Sequence, residues 1–256
     1  MSCSSRCTSQ GFSLIEMAIA LFIMALLLGG LLVPLRTQVE SRRIEETRAI
    51  LDQARDILLG FVTANGRFPC PAAGSATGVE SFAAGGNATN GNCSTWFNGF
   101  LPATTLGFSP VDGSGYALDS WATGSTQNRI RYAVSNTTVN SITNPFTRNN
   151  GIRDAAMANV SSAQLLYVCN SGTGIGAADC GTAVTLGSNI IAVIYSLGQN
   201  AATGGTSTNE SKNVDNNRVF VQAGTSAVAG AIFDDQLTWI GPPILFSRMI
   251  AAGTLP

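Results

Sequence analysis

The residues with the clearest chemistry are four cysteines that follow the first sixty residues of this 256-residue chain. Four cysteines allow three disulfide pairings. We predict sequential pairing, because it closes short loops in a polar stretch of the chain. The predicted pairs are Cys70 with Cys93 and Cys169 with Cys180. A four-cysteine zinc site is the alternative, although the C-x-x-C spacing typical of such a site is missing. Disulfides would place this part of the chain in an oxidising compartment.

Oxygen-bearing side chains are concentrated in residues 198–217, which read GQNAATGGTSTNESKNVDNN. The candidate ligands are Asn209, Glu210, Asp215 and Asn217. Calcium takes six to eight oxygen ligands, so such a loop could hold this ion. The spacing matches no calcium motif, however, and a solvated loop is the favoured alternative. We therefore expect no cofactor, with calcium as the one candidate.

Asp234 and Asp235 form an adjacent acidic pair that could suggest acid–base catalysis. We place them on a strand predicted over 233–240, where neighbouring side chains point to opposite faces of the sheet. On that basis the two carboxyl groups cannot easily share a proton. The chain also has no histidine, which excludes Ser-His-Asp and Cys-His triads. We find no catalytic constellation and predict that the protein is not an enzyme.

The charge balance excludes another class of function. The net charge is −1 and only 11 % of the residues are charged, so the chain lacks the excess of lysine and arginine that phosphate recognition needs. We therefore expect no nucleic-acid partner. Three aromatic residues, Trp96, Phe97 and Phe100, could form a contact surface for another partner or ligand. Core packing beside Cys93 is the favoured interpretation, because large aromatic side chains are usually buried.

The first sixty residues predict one long helix. In the apolar run of residues 12–35 the only ionisable side chain is that of Glu16, and as a helix this run would extend about 36 Å, enough to cross a bilayer. Beyond Pro34, apolar residues recur every three or four positions, which indicates an amphipathic helix. We predict a helix over 12–63 that ends before Asn65-Gly66.

The start of this helix carries a family resemblance. The segment Gly11-Phe12-Ser13-Leu14-Ile15-Glu16, with a polar leader before it and an apolar run after it, resembles the processing site of type IV prepilins and type II secretion pseudopilins. The resemblance implies that a prepilin peptidase cuts after Gly11 and methylates the new amino terminus at Phe12. Glu16 then becomes the fifth residue of the mature chain. An ordinary signal anchor with a coincidental glutamate is the alternative.

The resemblance also implies an organisation for the whole chain. Residues 1–11 form a cytoplasmic leader, 12–35 the membrane-spanning and filament-core part of the helix, 36–65 its amphipathic continuation, and 66–256 a periplasmic globular domain. The positive-inside rule alone favours the reverse orientation. We follow the family orientation, since the predicted disulfides agree with it. The expected location is the bacterial inner membrane, and after assembly a cell-surface filament.

The physics of Glu16 suggests how such a subunit assembles. A carboxylate inside a membrane costs on the order of 2.5–3.5 kcal/mol, and a nearby cation lowers that cost. The amino terminus of a neighbouring subunit at Phe12 could supply the cation, but only after cleavage. We therefore expect Phe12 and Glu16 to act together in assembly, with other pilin or pseudopilin subunits as partners.

The body of the chain predicts an α+β fold. Short β-rich runs at 130–134, 165–168, 190–197, 219–222 and 233–240 indicate strands, and 244–250 indicates a closing helix. We expect a pilin-like architecture, in which the long helix packs on an antiparallel sheet with long loops. The function that fits is a filament subunit, such as a minor pilin. The alternatives are a type II secretion pseudopilin and a membrane-anchored adhesin or ligand-binding module.

Overall fold

The computed structural model describes residues 13–122, 126–155, 157–160, 165–203 and 206–255. The fold is mixed α+β with an N-terminal helix and antiparallel sheets, as predicted. The chain divides into two compact units, Met1–Glu45 and Glu46–Pro256. The helices are α1 Leu14–Asn65, α2 Ala103–Leu106, α3 Gly151–Ala155, α4 Met157–Val160, α5 Glu210–Val214 and α6 Pro242–Ala251, with a 3-10 turn at Thr126–Asn128. The strands are β1 Gly99–Phe100, β2 Arg131–Val134, β3 Thr138–Val139, β4 Ile142–Thr143, β5 Leu166–Cys169, β6 Thr185–Ile190, β7 Ala192–Ser196, β8 Val219–Val221 and β9 Gln236–Ile240.

Helix α1 is continuous through Gly29, Gly30 and Pro34. Its second half packs as the sequence periodicity predicts. Leu51, Ala54 and Leu58 are almost completely buried, and they recur at the three- and four-residue spacing of one helix face. These side chains join the largest hydrophobic cluster of the structure, together with residues of β2, β7 and α6. The amphipathic part of the helix is therefore held by tertiary packing.

The main sheet has four antiparallel strands in the order β1-β2-β7-β9. Every residue of β7 is buried, because both faces of the strand are covered. Ile194 belongs to the cluster beneath α1, whereas Val193 and Tyr195 belong to a second cluster on the other face. Alternating side chains of one strand therefore serve two cores. This explains why the sequence of β7 is uninterrupted by polar residues until Ser196.

A second, three-stranded sheet in the order β6-β5-β8 provides the other side of that second cluster. Its β5–β8 pair is parallel, and its β5–β6 pair is antiparallel with register shifts. From the sequence we expect one antiparallel sheet, so the parallel pairing of β5 with β8 differs from the prediction. The described residues also form a small two-stranded sheet from β3 and β4. Strand β9 begins at Gln236, three residues later than predicted, and this difference affects the acidic residues that precede it.

Candidate assembly and metal sites

The predicted processing site, Gly11 and Phe12, lies outside the described residues. The first described residue is Ser13, which directly precedes helix α1. The backbone N–H of Ser13 donates a hydrogen bond of 2.9 Å to Oε2 of Glu16, and the N–H of Ile15 donates one of 3.4 Å to Oγ of Ser13. This S-x-x-E arrangement is a variant of the capping box, because Ser13 Oγ accepts from the N–H of Ile15 and not from that of Glu16. Glu16 thus places its carboxylate at the N-terminus of helix α1.

The helix that follows Glu16 exposes an unusual amount of apolar surface. All side chains from Ser13 to Leu27 are exposed, including Leu14 at 92 %, Phe22 at 66 % and Leu27 at 61 % of their full area. A helix that is apolar on all sides is normally buried in a protein core or in lipid. Exposed apolar surface of this kind marks a region that associates with a membrane or with other proteins.

The predicted membrane segment, 12–35, falls only partly on described residues, since nothing is described of the side chains from 28 to 37. In the part of the chain that the structure describes, no helix has both the length and the apolar character needed to cross a membrane.

The four cysteines of the body form two disulfides in the sequential pairing that we predicted. Cys70 pairs with Cys93 and Cys169 with Cys180, with Cα–Cα distances of 5.3 and 5.6 Å. The first disulfide closes a loop that the sequence identified as polar and short of apolar anchors. Both sulfur pairs are buried, so the bridges contribute to packing as well as to restriction of the unfolded chain.

A buried ion pair supports the first disulfide loop. The guanidinium of Arg67 binds both carboxylate oxygens of Glu80, at 2.8 and 2.7 Å, and the N–H of Cys70 donates a further hydrogen bond of 3.1 Å to Glu80. The two side chains are only 8 % and 13 % exposed. Two parallel charge-assisted bonds offset the desolvation of both groups. Both carboxylate oxygens of Glu80 therefore have hydrogen-bond partners.

The aromatic segment beside Cys93 packs against the body. Trp96 is half-buried against the cluster beneath α1, and Phe97 is half-buried against the second cluster. Phe100 makes an edge-to-face contact of 5.2 Å with Tyr116 and lies under the guanidinium of Arg131. These contacts agree with core packing, the favoured interpretation of the sequence.

The four residues of the predicted calcium loop have the following partners in the structure. Asn209 accepts a hydrogen bond of 2.7 Å from the N–H of Gly172. Asp215 accepts a 2.7 Å bond from Asn217 and lies 3.5 Å from the ammonium of Lys212. Only Glu210 is directed toward other acidic groups. Asn209 therefore bonds to Gly172 and Asp215 bonds to Asn217, and these contacts lie at the two ends of α5.

Glu210 instead meets Asp234 and Asp235, and one carboxylate oxygen from each residue lies within 4.8 Å of the others. Our expectation that the two aspartates point to opposite faces of a strand was wrong. They precede β9, and the alternation of side chains applies only to pleated strand residues. The two carboxylates are therefore free to turn toward the same point. Glu210 is completely buried, Asp235 is 1 % exposed, and Asp234 is half-buried.

Each carboxylate of this acidic cluster uses one oxygen in hydrogen bonds and leaves the other without a partner. Glu210 accepts from the amide of Asn200 at 2.8 Å, and Asp235 accepts from the amide of Asn213 at 2.7 Å. Asp234 accepts from the backbone N–H groups of residues 199 and 200. The buried oxygens that lack a hydrogen-bond partner are Glu210 Oε2, Asp234 Oδ1, Asp235 Oδ1 and Asn200 Oδ1. Hydrogen bonds thus hold each carboxylate in place, but one oxygen of each carboxylate has no hydrogen-bond partner.

The backbone at Gly198 is adapted to this cluster. Gly198 has φ +66°, a conformation that residues with a Cβ rarely adopt. A Cβ at this position would lie 2.5 Å from the carboxylate carbon of Asp234. Only glycine therefore allows the turn after β7 to approach Asp234 this closely.

The electrostatics of the acidic cluster disfavour three negative charges. Burial, with the nearby Glu210 and Asp234 carboxylates, raises the pKa of Asp235 to about 8 despite the hydrogen bond from Asn213. Burial also raises the pKa of Asp234, which Glu210 raises further. Among the described residues, no lysine or arginine forms an ion pair with any of the three carboxylates. The sequence carries little sign of the site, because Glu210 stands 24 residues before Asp234 and the intervening chain also carries Lys212, Asp215 and Arg218.

Comparison with known proteins identifies the N-terminal segment. No curated protein and no solved structure matches the chain. A family model described as a prokaryotic N-terminal methylation motif matches residues 6–32. The motif includes the predicted cleavage site and the start of α1. In general it implies processing by a prepilin peptidase, assembly with other pilins, and a structural role rather than an enzymatic one. The chain therefore carries the prepilin-type signature, which supports a type IV pilin- or pseudopilin-like protein.

Proposed function

We propose that the protein is a structural subunit, a minor pilin or pilin-like protein, of a type IV pilus-like filament. The observation that carries the proposal is the exposed apolar helix of residues 14–27, which directly follows the capping box and lies within the methylation motif. This surface needs either lipid or the helices of other subunits around it. The chain would occupy the inner membrane before assembly, with its body in the periplasm, and the filament core afterwards.

In this proposal, processing prepares the subunit for assembly. The peptidase cuts between Gly11 and Phe12, and the new ammonium group at Phe12 neutralises Glu16 of an adjacent subunit. The capping box supports this step, because the Ser13 N–H holds the carboxylate at the end of the helix. The two disulfides support an oxidising location for the body.

The mature N-terminus tests the class of protein directly. Mass spectrometry of the chain from cells with and without the prepilin peptidase should detect N-methylated Phe12 only when the enzyme is present. An intact Met1 in both strains would overturn the proposal.

Glu16 tests the assembly step. Glu16→Gln keeps an oxygen that can accept the Ser13 N–H but removes the charge, whereas Glu16→Ala removes both. If charge neutralisation drives assembly, both variants should be processed normally and incorporated into filaments at least tenfold less than the wild type, since the attraction between unit charges is strong at low dielectric. Normal incorporation of Glu16→Gln would restrict the residue to helix capping.

A pseudopilin of a type II secretion system is the second candidate, because the same methylation motif serves it equally well. Deletion of the coding sequence separates the two. Loss of surface filaments with normal protein secretion supports the pilus subunit, and the reverse result supports the pseudopilin.

A further inference from the structure

We propose that Glu210, Asp234 and Asp235, together with the side-chain oxygen of Asn200, form a binding site for one Ca²⁺ ion. The site shares only Glu210 with the oxygen-rich set expected from the sequence. It does not depend on the proposed filament function.

The unpartnered oxygens are the first reason. A buried polar atom without a partner is costly, and an ionised one costs more. Glu210 is fully buried and Asp235 is 1 % exposed, yet each leaves one carboxylate oxygen without a hydrogen-bond partner. Asn200, which bonds to Glu210 and Asp234, adds a further buried oxygen without a partner. A cation among these oxygens supplies the missing partner for each of them.

The geometry is the second reason. One oxygen from each carboxylate lies within 4.8 Å of the others. Two oxygens that both bind a Ca²⁺ ion at about 2.3–2.6 Å can be up to about 5 Å apart. The hydrogen bonds from Asn200, Asn213 and the backbone hold the second oxygen of each carboxylate, so the groups are oriented before an ion arrives. Such second contacts are typical of metal sites, because they fix the ligands in place.

The donor set indicates which cation fits. All four donors are oxygen atoms, which favours Ca²⁺ or Mg²⁺ over metals that prefer nitrogen or sulfur. Mg²⁺ requires near-ideal octahedral geometry, whereas Ca²⁺ accepts irregular sets of six to eight ligands. Here the donors come from the turn after β7, from α5 and from the segment before β9, which is an irregular arrangement. Half-buried Asp234 leaves a route for the ion and for water ligands that complete its shell.

The site lies where elements of both sheets meet, and an ion there would add to the hydrogen bonds from Asn200 to Glu210 and from Asn213 to Asp235. Asn200 follows β7 and Asp235 precedes β9, both in the main sheet, whereas α5 contacts β8 of the second sheet. A bound ion would therefore fasten α5 to the end of the main sheet. We expect the ion to stabilise the folded body.

The test uses the full-length chain, stripped with a chelator and then titrated with Ca²⁺ or Mg²⁺ alone. Calorimetry should detect one Ca²⁺ ion per chain, with saturation at or below about 1 mM, the affinity range of extracellular calcium modules. At a hundredfold excess over Kd, the Tm should rise by about 5–10 °C. No binding of either ion at 10-fold higher concentration would overturn the proposal, and a response to Mg²⁺ alone would overturn the choice of calcium.

Variants locate the site. Glu210→Gln and Asp235→Asn should each weaken Ca²⁺ binding at least tenfold. Without Ca²⁺, both variants should be as stable as the wild type or more so, because each replaces a buried carboxyl group beside other carboxyl groups with a neutral amide; a residue with a merely structural role would lose stability in both conditions. Asp215→Asn is the matched control, an acidic residue five positions from Glu210 that pairs with Lys212 and Asn217. If Asp215→Asn alone abolishes binding, the ion sits in the loop expected from the sequence and the proposed site is wrong.

Discussion

Two buried groups of charges in the body of this protein are built in opposite ways. At Arg67 and Glu80, every charge has a partner, because the guanidinium covers both carboxylate oxygens. At Glu210, Asp234 and Asp235, three carboxylates converge and the described structure gives none of them a basic partner. The first site is a complete ion pair that supports the loop closed by the Cys70–Cys93 disulfide. The second site has no such partner among the described residues, and the Ca²⁺ ion that we propose would supply it.

The contrast also concerns the cost of each site. A buried pair loses its balance when one member is removed, and the remaining charge is then uncompensated. In a cluster of carboxylates the negative charges repel one another, so removing one of them lowers the repulsion. Removing one charge should therefore lower the stability at the Arg67–Glu80 site and raise it at the acidic cluster.

Arg67→Met should destabilise the protein most, by about 3–5 kcal/mol in the free energy of unfolding, because Glu80 stays buried without its cation. Chemical denaturation of the full chain measures the loss. Arg153→Met is the control, since Arg153 is 58 % exposed and pairs with Asp154 only at 3.7 Å. A loss below 1 kcal/mol for Arg67→Met would mean that the first site is not the balanced pair we describe.

Gly198→Ala should cost about 1–3 kcal/mol, because the added Cβ requires a strained φ and overlaps Asp234. In Ca²⁺ titrations the variant should also bind more weakly, since the carboxylate of Asp234 has to move. Gly107→Ala provides the comparison: it also has a positive φ of +65°, but a Cβ there meets no atom within 4 Å. Equal losses in both variants, with unchanged Ca²⁺ affinity in Gly198→Ala, would separate Gly198 from the acidic cluster.

Asp112 should give the smallest effect, about 1 kcal/mol, and a pH dependence that marks a balanced site. Burial raises the pKa of Asp112, but hydrogen bonds from the N–H groups of Tyr116 and Ser114 and the ion pair with Arg129 outweigh it, so the pKa falls below 3.8. A lowered folded pKa contributes stability above pH 3.8 that is lost as the pH falls through the folded value.

The variant Asp112→Asn isolates this contribution, because asparagine retains an oxygen that can accept both backbone bonds. The wild type should be more stable than the variant at pH 6, and the difference should shrink below pH 4. A difference that stays constant from pH 6 to pH 3 would rule out a titrating Asp112 as its cause.

How far the sequence predicts these features depends on the range of the interactions. The buried face of α1 and the two disulfides followed from spacing along the chain, because helix periodicity and loop closure are local properties. The parallel pairing of β5 with β8 did not, since strands 50 residues apart carry no local sign of their direction. The partnership of Arg67 with Glu80 is likewise set by the path of a loop.

The acidic cluster shows how one boundary decides a site. Glu210 was recognised as a candidate ligand because it lies in an oxygen-rich loop. Asp234 and Asp235 were set aside because the predicted strand began at Phe233, whereas β9 begins at Gln236. Because the strand begins three residues later than predicted, the two side chains can turn toward one point and do not lie on opposite faces of a sheet. Residue propensities do not predict the end of a strand to within three residues.

Strand β7 has a consequence for how the body unfolds. Its alternate side chains fill two separate hydrophobic clusters, so neither cluster can lose its packing while the strand keeps the other intact. Parts of a protein that share a central strand open together rather than in sequence. The layers on either side of β7 therefore form one cooperative unit, and heating should melt them in a single calorimetric transition.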